Sequence, residues 1–108
     1  MLRAALPALV LLLVVVPAGP GSAQATWDVA VEDVAFNPDR LVIHAGDAVV
    51  WTVGGVNEHT ITALDGSFNS GDVFPGDTYA HTFALPGVVP YYCQYHLPRM
   101  VAHIVVLP

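Results

Sequence analysis

Beyond residue 25 the chain runs in short stretches of alternating apolar and polar positions, broken every few residues by Gly, Pro, Asn or Asp. "TWDVAVEDV" sets Trp27, Val29 and Val31 on one face. "DAVVWTV", which starts after the Gly46-Asp47 turn, gives Val49, Trp51 and Val53 a common parity. A period of two is that of a strand with one face buried. "RLVIHA", "HTITAL", "TYAHTFAL", "VVPYYC" and "MVAHIVVL" read the same way. "FNPD" reads as a turn, and "DGSFNSGDVFPGD" as a long loop of turn formers. No window sustains the i, i+3, i+4 spacing of a helix. About seven to eight strands with turns every ~8–12 residues predict an all-β, antiparallel sandwich or barrel.

The first 25 residues follow a different logic. Arg3 is the positive start, Ala8 to Val16 is an apolar run, and Ala23-Gln24-Ala25 is a small-x-small pattern of the kind a signal peptidase cuts. The apolar run falls short of the ~20 residues of a membrane helix. Residues 1–25 are therefore expected to be a cleaved signal peptide, with an uncleaved anchor as the alternative. Residues 26–108 form one small domain, and the location is periplasmic or extracellular.

Charge and cysteine count narrow the chemistry. The chain carries a net charge of −6, and loss of Arg3 would make it −7. Arg40 and Arg99 are then the only strong cations, and lysine is absent. Nucleic acid and anionic lipid are poor partners for such a surface, whereas a basic protein face is a good one. Exported domains of this size usually rely on disulfides, but the chain holds a single Cys. An unpaired thiol in an oxidising compartment is a liability unless it is occupied, for example by a metal.

That thiol stands in "YYCQYHLPRM". Cys93 ends one run, Met100 starts the next, and "QYHLPR" between them is a tight loop restricted by Pro98. Cys93, His96 and Met100 are thereby turned toward one point, and His59, which opens "HTITAL", supplies a further imidazole. Two imidazoles, one thiolate and a weak thioether are the donors of a blue-copper electron-transfer centre. Soft sulfur favours Cu(I) and imidazole accepts both oxidation states, so an intermediate geometry lets the ion change charge with little movement. An open zinc site uses two imidazoles and a thiolate as well, but zinc rarely takes thioether. A nucleophilic Cys with a His base is another reading, although no orienting third group or substrate pocket is evident.

The chain resembles the cupredoxins, particularly small plastocyanin-, amicyanin- and pseudoazurin-like members, over nearly all of residues 26–108. The resemblance rests on "FNPDRLVIHAGDAVVWTV", "NEHTITALDGSFNSG", "FPGDTYAHTFALPG" and "YYCQYHLPRM", with "EHT" plus "YYCxxHxxxM" the most specific parts. It implies a Greek-key β-sandwich with one copper ion cycling between Cu(I) and Cu(II). His59, Cys93 and His96 would be equatorial ligands, and Met100 the weak axial one. It further implies a monomeric electron carrier rather than an enzyme. Its partners would be redox proteins, a c-type cytochrome or a copper or haem oxidoreductase with a basic docking face, and no small-molecule substrate. A periplasmic copper chaperone or storage protein using the same ligands is the alternative, disfavoured by the lack of Met- or Cys-rich motifs. A metal-free β-sandwich interaction module is the third reading. Three departures from the family stand out: Thr60 where many relatives have Asn, Arg99 beside the axial position, and Ala102 where Gly is common.

The remaining candidates have plainer readings. His44, His81 and His103 are expected to be structural or surface residues, His81 partly buried by its parity with Tyr79 and Phe83. Trp51, Tyr91 and Tyr92 read as core and rim aromatics, and Asn57 and Glu58 as a solvated loop. Leu97 and Pro98 are expected to line an exposed apolar patch around the His96 edge.

Overall fold

The computed structural model describes residues 24–108. It holds eight strands and, among the described residues, no helix: β1 Thr26–Glu32, β2 Ala35–Asn37, β3 Arg40–His44, β4 Ala48–Val53, β5 Thr62–Ala63, β6 Thr78–Thr82, β7 Gly87–Tyr92 and β8 Val101–Leu107. They form two four-stranded sheets, in the orders β2-β1-β4-β6 and β3-β8-β7-β5. The β-sandwich is as expected, but the sheets are mixed rather than purely antiparallel. β1 runs parallel to β4, and β3 parallel to β8. The chain leaves the first sheet after β2 and passes through β3 in the second. It can then re-enter beside β1 in the same direction, as no hairpin could.

Alternation places the core as expected. Val29, Val31, Val49, Trp51, Val53, Ile104 and Val106 face inward and are buried. Trp51 is the hub, with Tyr79, Phe83, Phe68 and Tyr91 rings at 5.5–6.4 Å, and its indole N–H donates to the Tyr91 hydroxyl at 3.2 Å. Each such fully buried side chain contributes about 1.5–3 kcal/mol, and pairing of the indole removes the cost of burying its N–H. Trp27 shares the parity of Val29 but lies beyond the core edge. Its indole donates to Asp47, a buried carboxylate that also accepts the His44 N–H.

Three local readings change. "FNPD" is not all turn, because Ala35–Asn37 pairs with β1 as a short antiparallel strand. "HTITAL" shrinks to the two residues of β5, since His59 instead forms an isolated bridge with Val73. Pairing also reaches upstream of Thr26: the Gln24 N–H donates to the Gly46 carbonyl and the Ala25 carbonyl accepts from Ala48. Of the expected signal segment, residues 1–23 lie outside the described residues.

The arrangement sends several strand ends to one edge. β1 and β4 are parallel and in register at Val31 and Val53, so the turn after β1 and the loop after β4 emerge together. β7 ends and β8 begins at this edge too, with Tyr92 paired to Val101.

Candidate metal centre

Each donor is carried by a strand end or by a loop fixed to one. Cys93 directly follows β7, its N–H donating to the Met100 carbonyl at 3.0 Å. The intervening loop turns back on itself: the N–H groups of Arg99 and Met100 both reach the His96 carbonyl, at 3.0 and 3.1 Å. Cys93 and Met100 thus sit at the two feet of one closed loop, both fully buried, with His96 partly exposed at its crest. His59 arrives from the other sheet after the loop 54–58. It is held by two backbone bonds to Val73 of 2.9 Å each, and its side chain is fully buried.

The His59, Cys93 and His96 donor atoms lie within 4.8 Å of one another. Nδ1 of His59 is 3.8 Å from Cys93 Sγ, and Nδ1 of His96 is 3.4 Å from it. The two imidazoles face each other with centroids 5.0 Å apart. A first-row ion bonded at ~2.0 Å to nitrogen and ~2.3 Å to sulfur, at angles between tetrahedral and trigonal, separates nitrogen from sulfur by roughly 3.5–3.7 Å. The observed 3.4 and 3.8 Å lie on either side of that range, so the residues present fit such an ion with shifts of a few tenths of an ångström. Met100 closes the same loop through its backbone and is buried.

Partners around the donors hold them in place. The Thr60 N–H points at Cys93 Sγ from 3.4 Å. The Thr60 hydroxyl accepts the Gln94 N–H at 3.0 Å and is itself met by the Thr62 hydroxyl at 3.0 Å. Thr60 therefore bridges the segments that carry His59 and Cys93. Ser70 accepts the Ile61 N–H at 2.8 Å and fixes the next residue of the upstream segment. Hydrogen bonding of this kind fixes ligand direction and the electronic character of the sulfur.

Sequence reasoning missed Asp33. Its carboxylate accepts the N–H groups of Val56 and Asn57 and stands 3.3 Å from His59 Nε2. Hydrogen bonding by the Val56 N–H, joined by Asn57 and by His59, holds its carboxyl below the usual range despite some desolvation. No residue pattern flagged it, because an Asp in "VEDVAF" looks like an ordinary turn former.

At the surface, Leu97 and Pro98 are exposed as expected. His96 shares one depression with Val56, Asn57, Glu58, Phe74 and Tyr95, while Leu97 borders a second with Leu64 and Val101. Leu64, Phe74, Leu97 and Val56 are 51–83% exposed, which makes this end of the molecule broadly apolar. The other histidines keep away from the site. His44 is exposed, His103 sits half-buried on β8, and His81 packs between Phe68 and Phe83, burial pushing its pKa down.

No protein-family model matches the chain. Among solved structures it is similar to a novel purple cupredoxin from Nitrosopumilus maritimus, with 28% identity and a TM-score of 0.68, covering 74% of this chain and 98% of that one. It is also similar to amicyanin from Paracoccus versutus, with 24% identity and a TM-score of 0.66, covering 84% and 94% of the two chains. A copper-containing nitrite reductase from Thermus scotoductus aligns at 23% identity and a TM-score of 0.71, over 88% of this chain but only 26% of its own. The chain has the cupredoxin fold, and its His–Cys–His cluster fits a blue-copper site.

Proposed function

We propose that this protein is a type 1 copper electron carrier, exported from the cytoplasm, that moves single electrons between redox proteins. The observation that carries the reading is the buried Cys93 sulfur with two Nδ1 atoms at 3.4 and 3.8 Å. The resemblance to amicyanin, which is known in a reduced Cu(I) form, supports copper as the ion. Nδ1 of His59, Sγ of Cys93, Nδ1 of His96 and the Met100 thioether would hold it. Bound there, copper supplies a one-electron Cu(II)/Cu(I) couple.

The chain's own residues do the rest. The Cys93 loop, closed on Met100, and the Thr60 bridge resist movement of the donors, so little reorganisation accompanies a change of charge. Buried walls exclude water from the sulfur. His96 alone of the three has an edge at the surface, which makes it the route by which one electron enters from a reduced partner and leaves to an oxidised one. The apolar surface about Leu97 and Phe74 supplies a small contact, and the acidic chain draws a basic partner through its field. No substrate bond is made or broken, so the carrier is not an enzyme. Removal of residues 1–25 and release into the periplasm or medium complete the proposal.

Repeated reduction and reoxidation of the copper-loaded protein tests this reading. Full return of the oxidised signal over many cycles, with one copper retained per chain, is expected. Ready surrender of copper to a metal-free acceptor would instead favour the chaperone reading.

A further inference from the structure

We propose that Asp33 is the positioning residue of the upstream ligand, accepting the Nε2–H of His59 and thereby fixing the tautomer that leaves Nδ1 bare toward Cys93. The inference rests on the copper reading only in taking Nδ1 as the ligand atom; the tautomer itself is a property of the chain.

Several independent features converge on the carboxylate. Oδ1 lies 3.3 Å from His59 Nε2 and 3.2 Å from the Asn57 N–H, and Oδ2 accepts the Val56 N–H at 3.0 Å. One side chain therefore grips both the loop that delivers His59 and the ring of His59. A neutral imidazole has one N–H and one lone pair, so a carboxylate at Nε2 puts the proton there and the lone pair on Nδ1. The Nδ1 atom is the one that faces Cys93 Sγ.

The backbone around Asp33 is shaped for this contact. Val34 has φ 68°, a left-handed conformation that a β-branched residue rarely adopts. Strain of that kind persists only where surrounding structure demands it. The carboxylate also packs directly over Gly55, where an added Cβ would overlap it, and Gly55 itself has φ 70°. A side chain at 55 would displace the carboxylate from this position. With 31% of the Asp33 side chain exposed, the pair adds little to stability; its consequence is orientation.

The test begins with the metal-free, full-length mature protein. Long-range 1H–15N correlation of the His59 ring should show Nε2 protonated and Nδ1 bare in the unsubstituted chain. In Asp33→Ala this preference should be lost, and in Asp33→Asn, which keeps an acceptor oxygen, it should be largely restored. Cu(II) affinity should fall about 10- to 100-fold in Asp33→Ala and recover most of that in Asp33→Asn. A protonated Nδ1 in the unsubstituted chain overturns the proposal, as does an unaltered tautomer or an affinity within twofold in Asp33→Ala. If Asp33→Ala does not fold, the unsubstituted chain and Asp33→Asn still decide. Should the unsubstituted chain bind no copper, the electron-carrier reading fails while the ring measurement still judges Asp33.

Discussion

The backbone N–H of Thr60 lies 3.4 Å from Cys93 Sγ, so the residue beside one imidazole donates to a sulfur 33 positions away. The Thr60 hydroxyl repeats the link by accepting from Gln94. Thr60→Ala keeps the first bond and deletes the second, leaving a partly buried N–H without its acceptor. A loss of about 1–2 kcal/mol in unfolding free energy is expected. Denaturant titration checks it, as a lower midpoint at unchanged slope.

Met100 is fully buried at the foot of the ligand loop. Met100→Leu conserves volume, so it should cost under about 1.5 kcal/mol. It replaces a polarisable donor by a purely apolar side chain, and apolar surroundings disfavour the extra positive charge of Cu(II), so the visible colour should persist while the reduction potential rises. Voltammetry of both proteins checks this; an unchanged potential would remove Met100 from the ligand set.

Tyr91 links the core to pH. Burial pushes its phenol up to about 12 from 10.0, only partly countered by the hydrogen bond from the Trp51 indole. The folded state thus favours the neutral phenol. Stability should be unaffected by this group below pH 10 and should decline between pH 10 and about 12, by roughly 3 kcal/mol in all. Tyr91→Phe should flatten that decline. Phenolate absorbance followed alongside unfolding gives the measurement.

Docking should be salt-dependent. With a net charge of −6 and an apolar surface around His96, electron transfer with a basic redox partner should slow about tenfold or more as salt screens the field. Leu97→Asp should slow it further by placing a charge in the contact, with the optical spectrum unchanged. Stopped-flow mixing across ionic strength distinguishes the two effects.

The strands and the inward faces of Val29, Trp51, Ile104 and Val106 were legible because alternation reports which side of a strand is buried. His59, Cys93 and His96 were legible by donor chemistry, and the structure brings them together. Partner choice was not legible, since a period of two fixes the face and not the neighbour. The parallel pairing of β1 with β4 was therefore missed, and Asp33 with it. Only that register brings the turn after β1 under the loop before His59. Ala35–Asn37 was hidden by the following Pro, and most of "HTITAL" lost its strand because its backbone bonds go to Ser70 and Val73 instead.

The central claim is that Cys93, His59, His96 and Met100 close around a copper ion. Addition of one equivalent of Cu(II) to the purified, metal-free protein, followed by visible absorption and electron spin resonance, tests it most directly. The account predicts an intense blue thiolate-to-copper band and narrow copper hyperfine splitting, both absent in Cys93→Ala. A colourless product, or selective binding of zinc by the same side chains, would contradict it.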